Sequence, residues 1–268
     1  MNQVKELRVD YTLDGQPGQA TVQEGETLTL PAAASGQSPQ WEASVAAGGS
    51  PIVKAWGNGR VELRMDSGKV LHADAGDVPA PQEITGAWDL NFPPNWGAPP
   101  SVTLEKLISW TGHTNDGVRY FSGTAAYEKP VEIPADRLSA GRELWLDLGS
   151  VKNFAEVSLN GQSFGVLWKP PFRLNLTPAA KPGVNHLMVK VTNLWPNRLI
   201  GDEQKPADVD WDGDQLRAWP QWLLDGQPSP HGRYTFTTWH HWKKDDHLLE
   251  SGLIGPVQLE SAVVQRLH

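Results

Sequence analysis

The sequence contains no cysteine among its 268 residues. This absence excludes a disulfide-stabilised scaffold, a catalytic thiolate, an iron–sulfur cluster and a cysteine-ligated zinc site. A chain of this length buries enough surface to fold without disulfides or a structural metal. The missing cysteines do not decide the compartment, because large secreted domains also fold without disulfides.

Positive charge and long apolar runs are also scarce. Lys and Arg total 23 against 31 Asp and Glu, which gives a net charge of −8 with histidine neutral. Such a surface repels phosphate, so we expect neither a nucleic-acid partner nor binding to an anionic membrane. No apolar stretch is long enough to span a bilayer, and residues 1–15 lack the apolar core of a signal peptide. These features predict a cytoplasmic protein, or a periplasmic or secreted one if the chain is part of a longer protein.

Tryptophan, in contrast, is abundant. The chain has 13 tryptophans but only four tyrosines and six phenylalanines. The indole ring offers a flat apolar face and a single N–H donor. Tryptophans therefore either fill the core of a β-sandwich or form platforms for a ligand, most naturally for sugar rings. We accordingly expect a carbohydrate or another small molecule as the partner.

Short apolar–polar alternations separated by Gly- and Pro-rich turns run along the chain, and no long amphipathic helix is evident. Residues 157–167 are the strongest hairpin candidate, because Asn160-Gly161 suits the two positive-φ positions of a type I′ turn. The pattern predicts an all-β fold with sandwich architecture. A proline-rich linker marks a boundary. We expect a small N-terminal β domain over 1–78 and a jelly-roll sandwich over 84–262, with a long insertion at about 201–231.

Several motifs in the second half of the chain resemble those of a known family. They are RYFSGTA at 119–125, AEVSLNG at 155–161, GVLWKPPF at 165–172, VTNLWPNRLIGD at 191–202, GRYTFTTW at 232–239 and SGLIGPV at 251–257. Together they resemble the galactose-binding-like jelly roll of family 2 glycoside hydrolases. More closely, they resemble the C-terminal portion of family 106 α-L-rhamnosidase-like proteins. The resemblance implies a jelly roll in a carbohydrate context, in which calcium is frequent. The catalytic α/β barrel of those larger enzymes is missing, since this chain has no repeating strand–helix pattern.

One acidic loop has the spacing of a cation site. Asp208, Asp210, Asp212 and Asp214 alternate with other residues, and a glycine precedes the last of them. Carboxylates at every second position can wrap a hard cation, as in the first half of an EF-hand loop. The second half does not match, because position twelve is Trp219 rather than glutamate. We expect calcium at these four aspartates; the alternative is a solvated acidic loop.

Histidine and aspartate concentrate near the C-terminus. The candidates for general acid–base chemistry are His240, His241, Asp245, Asp246 and His247. An imidazole beside a carboxylate can activate water for hydrolysis. Alternation over 234–242 predicts a strand, which would place His240 and His241 on opposite faces. The alternative is a strand end with a buried tryptophan and solvated charges.

A second polar cluster follows the strand predicted at 184–193. Its side chains suit a sugar, because amide and guanidinium groups bind hydroxyls and an indole can stack on the ring. The candidates for ligand binding are Asn193, Trp195, Asn197, Arg198, Asp202 and, from the C-terminal cluster, Trp239. The alternative is loop architecture, in which asparagines cap turns and an Arg198–Asp202 pair holds the loop.

Three functions remain open on the sequence alone. The first is a carbohydrate-binding module that is related to glycoside hydrolases, binds calcium and lacks a catalytic barrel. The second is a stand-alone hydrolase of a small ester, a lactone or a glycoside, in which a metal ion or the His/Asp cluster activates water. The third is a purely structural β module. Neither the substrate nor the oligomeric state follows from the sequence.

Overall fold

The computed structural model describes residues 6–13, 16–23, 41–45, 51–64 and 70–268. The first strands are β1 (Glu6–Leu13), β2 (Gln16–Gln23), β3 (Trp41–Val45), β4 (Pro51–Ala55), β5 (Gly59–Arg64), β6 (Val70–Ala75) and β7 (Gln82–Glu83). The next are β8 (Trp88–Asn91), β9 (Ser101–Leu104), β10 (Thr124–Ile133), β11 (Arg142–Asp147), β12 (Ser150–Lys152), β13 (Phe154–Leu159) and β14 (Gln162–Leu167). The last are β15 (Arg173–Asn175), β16 (Gly183–Thr192), β17 (Trp211–Asp212), β18 (Gln215–Leu216), β19 (Gly252–Gly255) and β20 (Gln258–Arg266).

The helices are short. They are α1 (Asp116–Arg119), α2 (Pro196–Asp202) and α3 (Gln221–Leu224), with 3₁₀ turns at Trp110–Gly112 and Ala135–Leu138. Within the described ranges, none of these helices has the length and apolar character needed to cross a membrane.

The first large sheet has six strands in the order β14-β13-β16-β10-β8-β9. All of its ladders are antiparallel. Its edge hairpin, β13–β14, turns at Asn160 and Gly161, whose φ angles are 52° and 83°. Positive φ at both positions is what an Asn-Gly turn supplies between two strands. The hairpin predicted there is confirmed.

The second large sheet contains β15-β11-β20-β4-β3, and β7 also pairs with β20. Strand β4 comes from before the predicted boundary, yet Val53 pairs with Gln265 and Ala55 with Val263 on β20. Part of the predicted N-terminal domain thus extends the sheet of the C-terminal region. Much of that domain, including residues 24–40, lies outside the described residues. The division into 1–78 and 84–262 stays a prediction.

The two large sheets share one apolar core. In β16, Leu187, Val189 and Val191 are buried while the residues between them are not, so every second side chain faces inward. Trp88 from the first sheet and Leu146 from the second belong to the same buried cluster. The all-β sandwich predicted from the sequence is confirmed.

One long connection interrupts this regular architecture. It leaves β16 and returns at β19, and it carries α2, the small β17–β18 hairpin, α3 and irregular backbone. Residues 203–250 of this connection hold five of the 13 tryptophans, and we term them the Trp-rich segment. The candidate site residues lie on this segment, on α2 directly before it, and on the short connection from β16 to α2.

Candidate functional site

Buried amide side chains join the chain that precedes the Trp-rich segment to the chain at the segment's C-terminal end. Asn193 Nδ2 donates to the Phe121 carbonyl at 2.8 Å and to Ser251 Oγ at 3.0 Å. Asn197 Nδ2 donates to the Leu249 carbonyl at 2.7 Å and to Ser251 Oγ at 2.8 Å. Both asparagines are buried, and these amide groups have internal partners. Their placement matches the loop-architecture alternative for these two candidate ligand residues.

Asp202, at the end of α2, binds the chain that returns past the helix. Its Oδ2 accepts bonds from Tyr234 N at 2.9 Å, Thr235 N at 2.7 Å and Thr235 Oγ1 at 2.7 Å. Its Oδ1 lies 3.2 Å from Arg198 Nη2, so the ion pair considered in the loop-architecture alternative is present. Backbone N–H groups that bond a carboxylate are not available for a β-ladder. The strand predicted over 234–242 is wrong, since the described backbone between β18 and β19 contains no strand.

Glu203, the next residue, connects Arg233 and His240. Its Oε1 lies 2.7 Å from Arg233 Nη1 and its Oε2 lies 2.8 Å from His240 Nε2. The His240 ring stacks on Trp211, with centroids 4.9 Å apart. Burial raises the pKa of Glu203, but hydrogen bonds from His240 and Arg233 outweigh burial and hold that pKa below its usual range. These groups border a cavity of about 30 Å³. Such a volume holds about two water molecules, not a sugar ring.

The rest of the predicted His/Asp cluster is arranged separately from His240. The candidates that share no described hydrogen bond or ion pair with its imidazole are His241, Asp245, Asp246 and His247. Asp246 Oδ2 accepts a bond from Lys243 N at 2.8 Å and so closes a turn. His241 lies against Trp239, with ring centroids 4.6 Å apart. Of the predicted catalytic candidates, only His240 has a described bond from its ring to a carboxylate, and that carboxylate is Glu203.

The four aspartates of the predicted calcium loop lie on and beside the β17–β18 hairpin. Asp214 Oδ1 is 3.2 Å from Lys243 Nζ, and Asp208 Oδ1 is 3.8 Å from Arg233 Nε. In the part of the chain that the structure describes, no three His, Cys, Asp or Glu side chains are grouped to hold a metal ion. Calcium at Asp208, Asp210, Asp212 and Asp214 stays a prediction.

A larger cleft, which we term the α2 cleft, opens beside α2. Its volume is about 320 Å³. Pockets that hold small molecules begin at about 300 Å³. The polar and aromatic residues of its lining are Asp116, Tyr120, Arg198, Gln204, Lys205 and Tyr234. Of the ligand residues predicted from the sequence, Arg198 is part of this lining, and Asp202 is the ion-pair partner of Arg198.

Glycines let the walls of the α2 cleft approach one another closely. Three glycines complete the lining: Gly97, Gly117 and Gly201. A Cβ on Gly201 would lie 2.5 Å from both Arg198 Nη2 and Tyr120 Cβ, and one on Gly117 would lie 2.0 Å from the Gly97 carbonyl oxygen. Contacts of this kind exclude a side chain at either position unless the lining moves. The closeness of the walls thus depends on glycine.

A row of aromatic rings leads from the surface to the α2 cleft. Trp195 is 54% exposed, and its ring centroid lies 5.8 Å from that of Trp96. Trp96 in turn lies 5.9 Å from Tyr234 of the cleft. Trp195 therefore keeps the exposed face expected of a sugar platform. Trp239 is also exposed, at 58%, but it borders the small cavity beside His240.

Sequence reasoning missed most of the α2 cleft and the partners of His240. The missed residues are Asp116, Tyr120, Glu203, Gln204, Lys205, Arg233 and Tyr234. Two signals could have found some of them. Tyr120, Arg233 and Tyr234 stand inside the motifs that carry the family resemblance. The stretch 203–205 directly follows the predicted polar cluster, so extending that cluster by one helical turn would have included it.

Comparisons with known proteins connect this architecture to sugar-cleaving enzymes. Over 261 residues, 97% of the chain, the sequence is 40% identical to a protein of Formosa agariphila named "Putative beta-glucuronidase". The structure is similar to that of a rhamnosidase from Novosphingobium sp. PP1Y, with a TM-score of 0.55 and 26% identity over 84% of this chain. No family model matches the sequence.

The matched region is only part of each relative. The chain spans 22% of the length of the Formosa protein and 25% of the Novosphingobium rhamnosidase. The sequence and structural matches agree on the class of enzyme and cover nearly all of this chain. The protein is related to glycoside hydrolases.

Proposed function

We propose that this chain is a carbohydrate-binding β-sandwich of a glycoside-hydrolase-related protein, and that the sugar binds in the α2 cleft. The observation that carries the proposal is the cleft itself. It is about 320 Å³ in volume and places two tyrosines, two cations, a carboxylate and an amide around bare glycine backbone. A few polar groups converging on a concave aromatic surface are typical of small-molecule sites.

The chemistry of the lining fits a sugar. A pyranose ring presents apolar C–H faces and a rim of hydroxyls, so it needs flat rings and hydrogen-bonding groups together. Tyrosine supplies both, because its ring is apolar and its hydroxyl donates and accepts. Tyr234 also lines a second cleft, of about 470 Å³, with Trp222 and Phe236. Two clefts that share one tyrosine suit two neighbouring units of a glycan.

The relatives support the carbohydrate context. Their names describe a β-glucuronidase and a rhamnosidase, enzymes that act on glycosides. Since this chain spans about a quarter of each, we infer that it corresponds to an accessory sandwich and that the catalytic barrel is not part of it. The jelly-roll topology and the likeness to family 106 enzymes belong to this proposal as well.

A hydrolase is the second candidate, and one observation favours it. The 2.8 Å contact between His240 Nε2 and Glu203 Oε2 is a carboxylate–imidazole pair beside a small cavity. Such a pair can act on water. Its test is a panel of aryl esters, lactones and aryl glycosides assayed with the wild type and with Glu203→Gln. Turnover lost in the folded variant supports this candidate, and no turnover of any substrate by the wild type contradicts it.

Sugar titration tests the binding proposal. Saturation-transfer NMR and calorimetry with methyl α-L-rhamnoside and methyl β-D-glucoside should show binding. Trp195→Ala removes the exposed ring of the aromatic row that leads to the cleft. This variant should bind the sugars about tenfold more weakly, a loss of about 1.4 kcal/mol. Trp168→Ala is the matched control, because Trp168 is 65% exposed and belongs to neither cleft. If no sugar binds the wild type, the proposed function is wrong; equal losses in both variants would remove the α2 cleft as the site.

A further inference from the structure

The α2 cleft contains an ammonium group with no counter-ion. Lys205 Nζ donates to the Gly232 carbonyl and lies 4.7 Å from the centroid of the Tyr234 ring. Lys205 makes no ion pair with any residue that the structure describes. A carbonyl and an aromatic face fix the position of the charge but do not neutralise it. The cleft therefore holds a positioned positive charge.

Arg198, the second cation of the cleft, is paired with a carboxylate that does not line the cleft. Arg198 lines the α2 cleft, whereas its partner Asp202 lines the small cavity on the other side. The Asp202 carboxylate also accepts three hydrogen bonds from Tyr234 and Thr235, which offset part of its charge. The Arg198 guanidinium lies 5.0 Å from the centroid of the Tyr234 ring, and its buried Nε has no hydrogen-bond partner. Because Arg198 is paired with Asp202, it adds less net positive charge to the cleft than the unpaired Lys205 does.

The only carboxylate in the described lining is Asp116, which is exposed. Water screens an exposed charge, so Asp116 opposes the two cations weakly. A carboxylate also accepts hydrogen bonds from sugar hydroxyls. The lining thus combines a carboxylate that can accept from hydroxyl groups with two cations, Arg198 and Lys205, which lie 5.0 Å and 4.7 Å from the centroid of the Tyr234 ring.

From this arrangement we infer that the α2 cleft selects acidic sugar units, those carrying a carboxylate or a sulfate, and that Lys205 determines the selectivity. The inference rests on the proposed function, since it assigns a ligand class to the same cleft. The acidic group pairs with the Lys205 ammonium, the hydroxyls bond Asp116 and Gln204, and the ring lies against tyrosine. Charge-assisted hydrogen bonds are the strong ones, so the acidic group dominates the selectivity.

Matched glycosides test the inference. The probes are methyl β-D-glucuronide, methyl β-D-glucoside and methyl β-D-glucoside 6-sulfate, which differ at one carbon. We expect the glucuronide, the sulfate or both to bind about tenfold more tightly than the neutral glucoside. The acidic probe that binds more tightly identifies the acidic group. Raising salt from about 0.05 M to about 0.5 M should narrow the difference, because salt screens the ion pair.

Variants of Lys205 test the selectivity for acidic sugars separately from the proposed sugar binding. Lys205→Gln should abolish the preference for acidic over neutral glycosides, and Lys205→Arg should retain that preference. Lys181→Gln, at an exposed lysine away from the cleft lining, is the control and should change nothing. Equal binding of acidic and neutral glycosides, or an undiminished preference in Lys205→Gln, overturns the inference and leaves the proposed function in place. Absence of binding by all three probes and by methyl α-L-rhamnoside overturns both.

Discussion

The sandwich contains fully buried tryptophans, whereas none of the five tryptophans of the Trp-rich segment is buried. In the sandwich, Trp88 and Trp110 are each 1% exposed and lie within the apolar cluster. In the segment, Trp219 and Trp239 are 57% and 58% exposed. The sandwich has regular ladders, whereas the segment is largely irregular and depends on ion pairs and side-chain bonds to its backbone.

The difference shows how an irregular segment is held without a core of its own. Apolar burial stabilises the sandwich, and it is spread over many side chains. The segment is fixed by a few buried polar contacts that radiate from Asp202 and Glu203 at the end of α2. A single substitution or a protonation can break one of these few polar contacts, whereas the apolar burial of the sandwich is spread over many side chains. The two regions should therefore respond differently to substitution and to pH. Trp219 and Trp239 on the segment, and Trp195 just before α2, keep exposed rings that a ligand can contact.

The largest effect should come from the sandwich core. Leu146 is fully buried between the sheets, and Leu146→Ala should lower the free energy of unfolding by about 4 kcal/mol through lost burial and a residual cavity. Urea denaturation followed by circular dichroism measures it. Val166→Ala is the control, since Val166 is 59% exposed on an edge strand and should change stability by less than about 0.5 kcal/mol. Similar losses in both variants would contradict the assignment of the core.

Removing Asp202 should loosen the segment before it affects the sandwich. Asp202→Ala leaves Arg198 buried without its partner and frees the N–H groups of Tyr234 and Thr235, so it should cost about 3 kcal/mol. Hydrogen exchange should rise over 232–242 while the amides of β10 and β16 stay protected. Asp225→Ala, at an exposed aspartate of the same segment, is the control. Uniform loss of protection across the chain would show that the segment and the sandwich unfold as one unit.

The sequence predicted those parts of the fold that depend on neighbouring residues. The Asn160-Gly161 hairpin is local, because the turn chemistry and both strands lie within residues 154–167. The strand predicted over 234–242 failed for a non-local reason. Its alternation of aromatic and polar residues is real, but the N–H groups of Tyr234 and Thr235 are taken by Asp202, more than thirty positions earlier.

The candidate site was only partly predictable for the same reason. Arg198 and the Arg198–Asp202 pair were found because they lie one helical turn apart. The α2 cleft could not be found, since it assembles Gly97, Tyr120 and Tyr234 from three distant parts of the chain around that helical turn. The sequence shows which chemical groups are present; only the packing of the segment against the sandwich shows which of them share a cleft.

Acid should open the Trp-rich segment at a pH where the sandwich persists. The folded state lowers the pKa of Glu203, so its contribution to stability is complete above the unfolded value of about 4.3. The contribution is lost as pH falls below that value towards the lower pKa of the folded state. Hydrogen exchange over 232–242, measured between about pH 6 and about pH 3, should rise in this window. Glu203→Gln should flatten that rise, and an unchanged profile in the variant would mean that another group controls opening.

Calcium should change the stability of the fold less than the substitutions above do. Its effect tests the acidic β17–β18 hairpin of the Trp-rich segment. Asp208 and Asp214 already face Arg233 and Lys243, so a cation would have to displace these charges and bind weakly. At a calcium concentration equal to the dissociation constant, binding stabilises the fold by about 0.4 kcal/mol. That gain raises Tm by about 1–2 °C in a chain of this size.

Scanning calorimetry of chelator-treated protein, with and without millimolar calcium, measures the shift. Asp212→Asn removes one of the four predicted carboxylates from an exposed position in the hairpin and should abolish the shift. Asp225→Asn, an exposed aspartate outside the hairpin, should preserve it. No shift and no heat of calcium binding in the wild type would contradict calcium at Asp208, Asp210, Asp212 and Asp214. The hairpin would then be a solvated acidic loop, which is the alternative interpretation, with Lys243 and Arg233 beside two of its carboxylates.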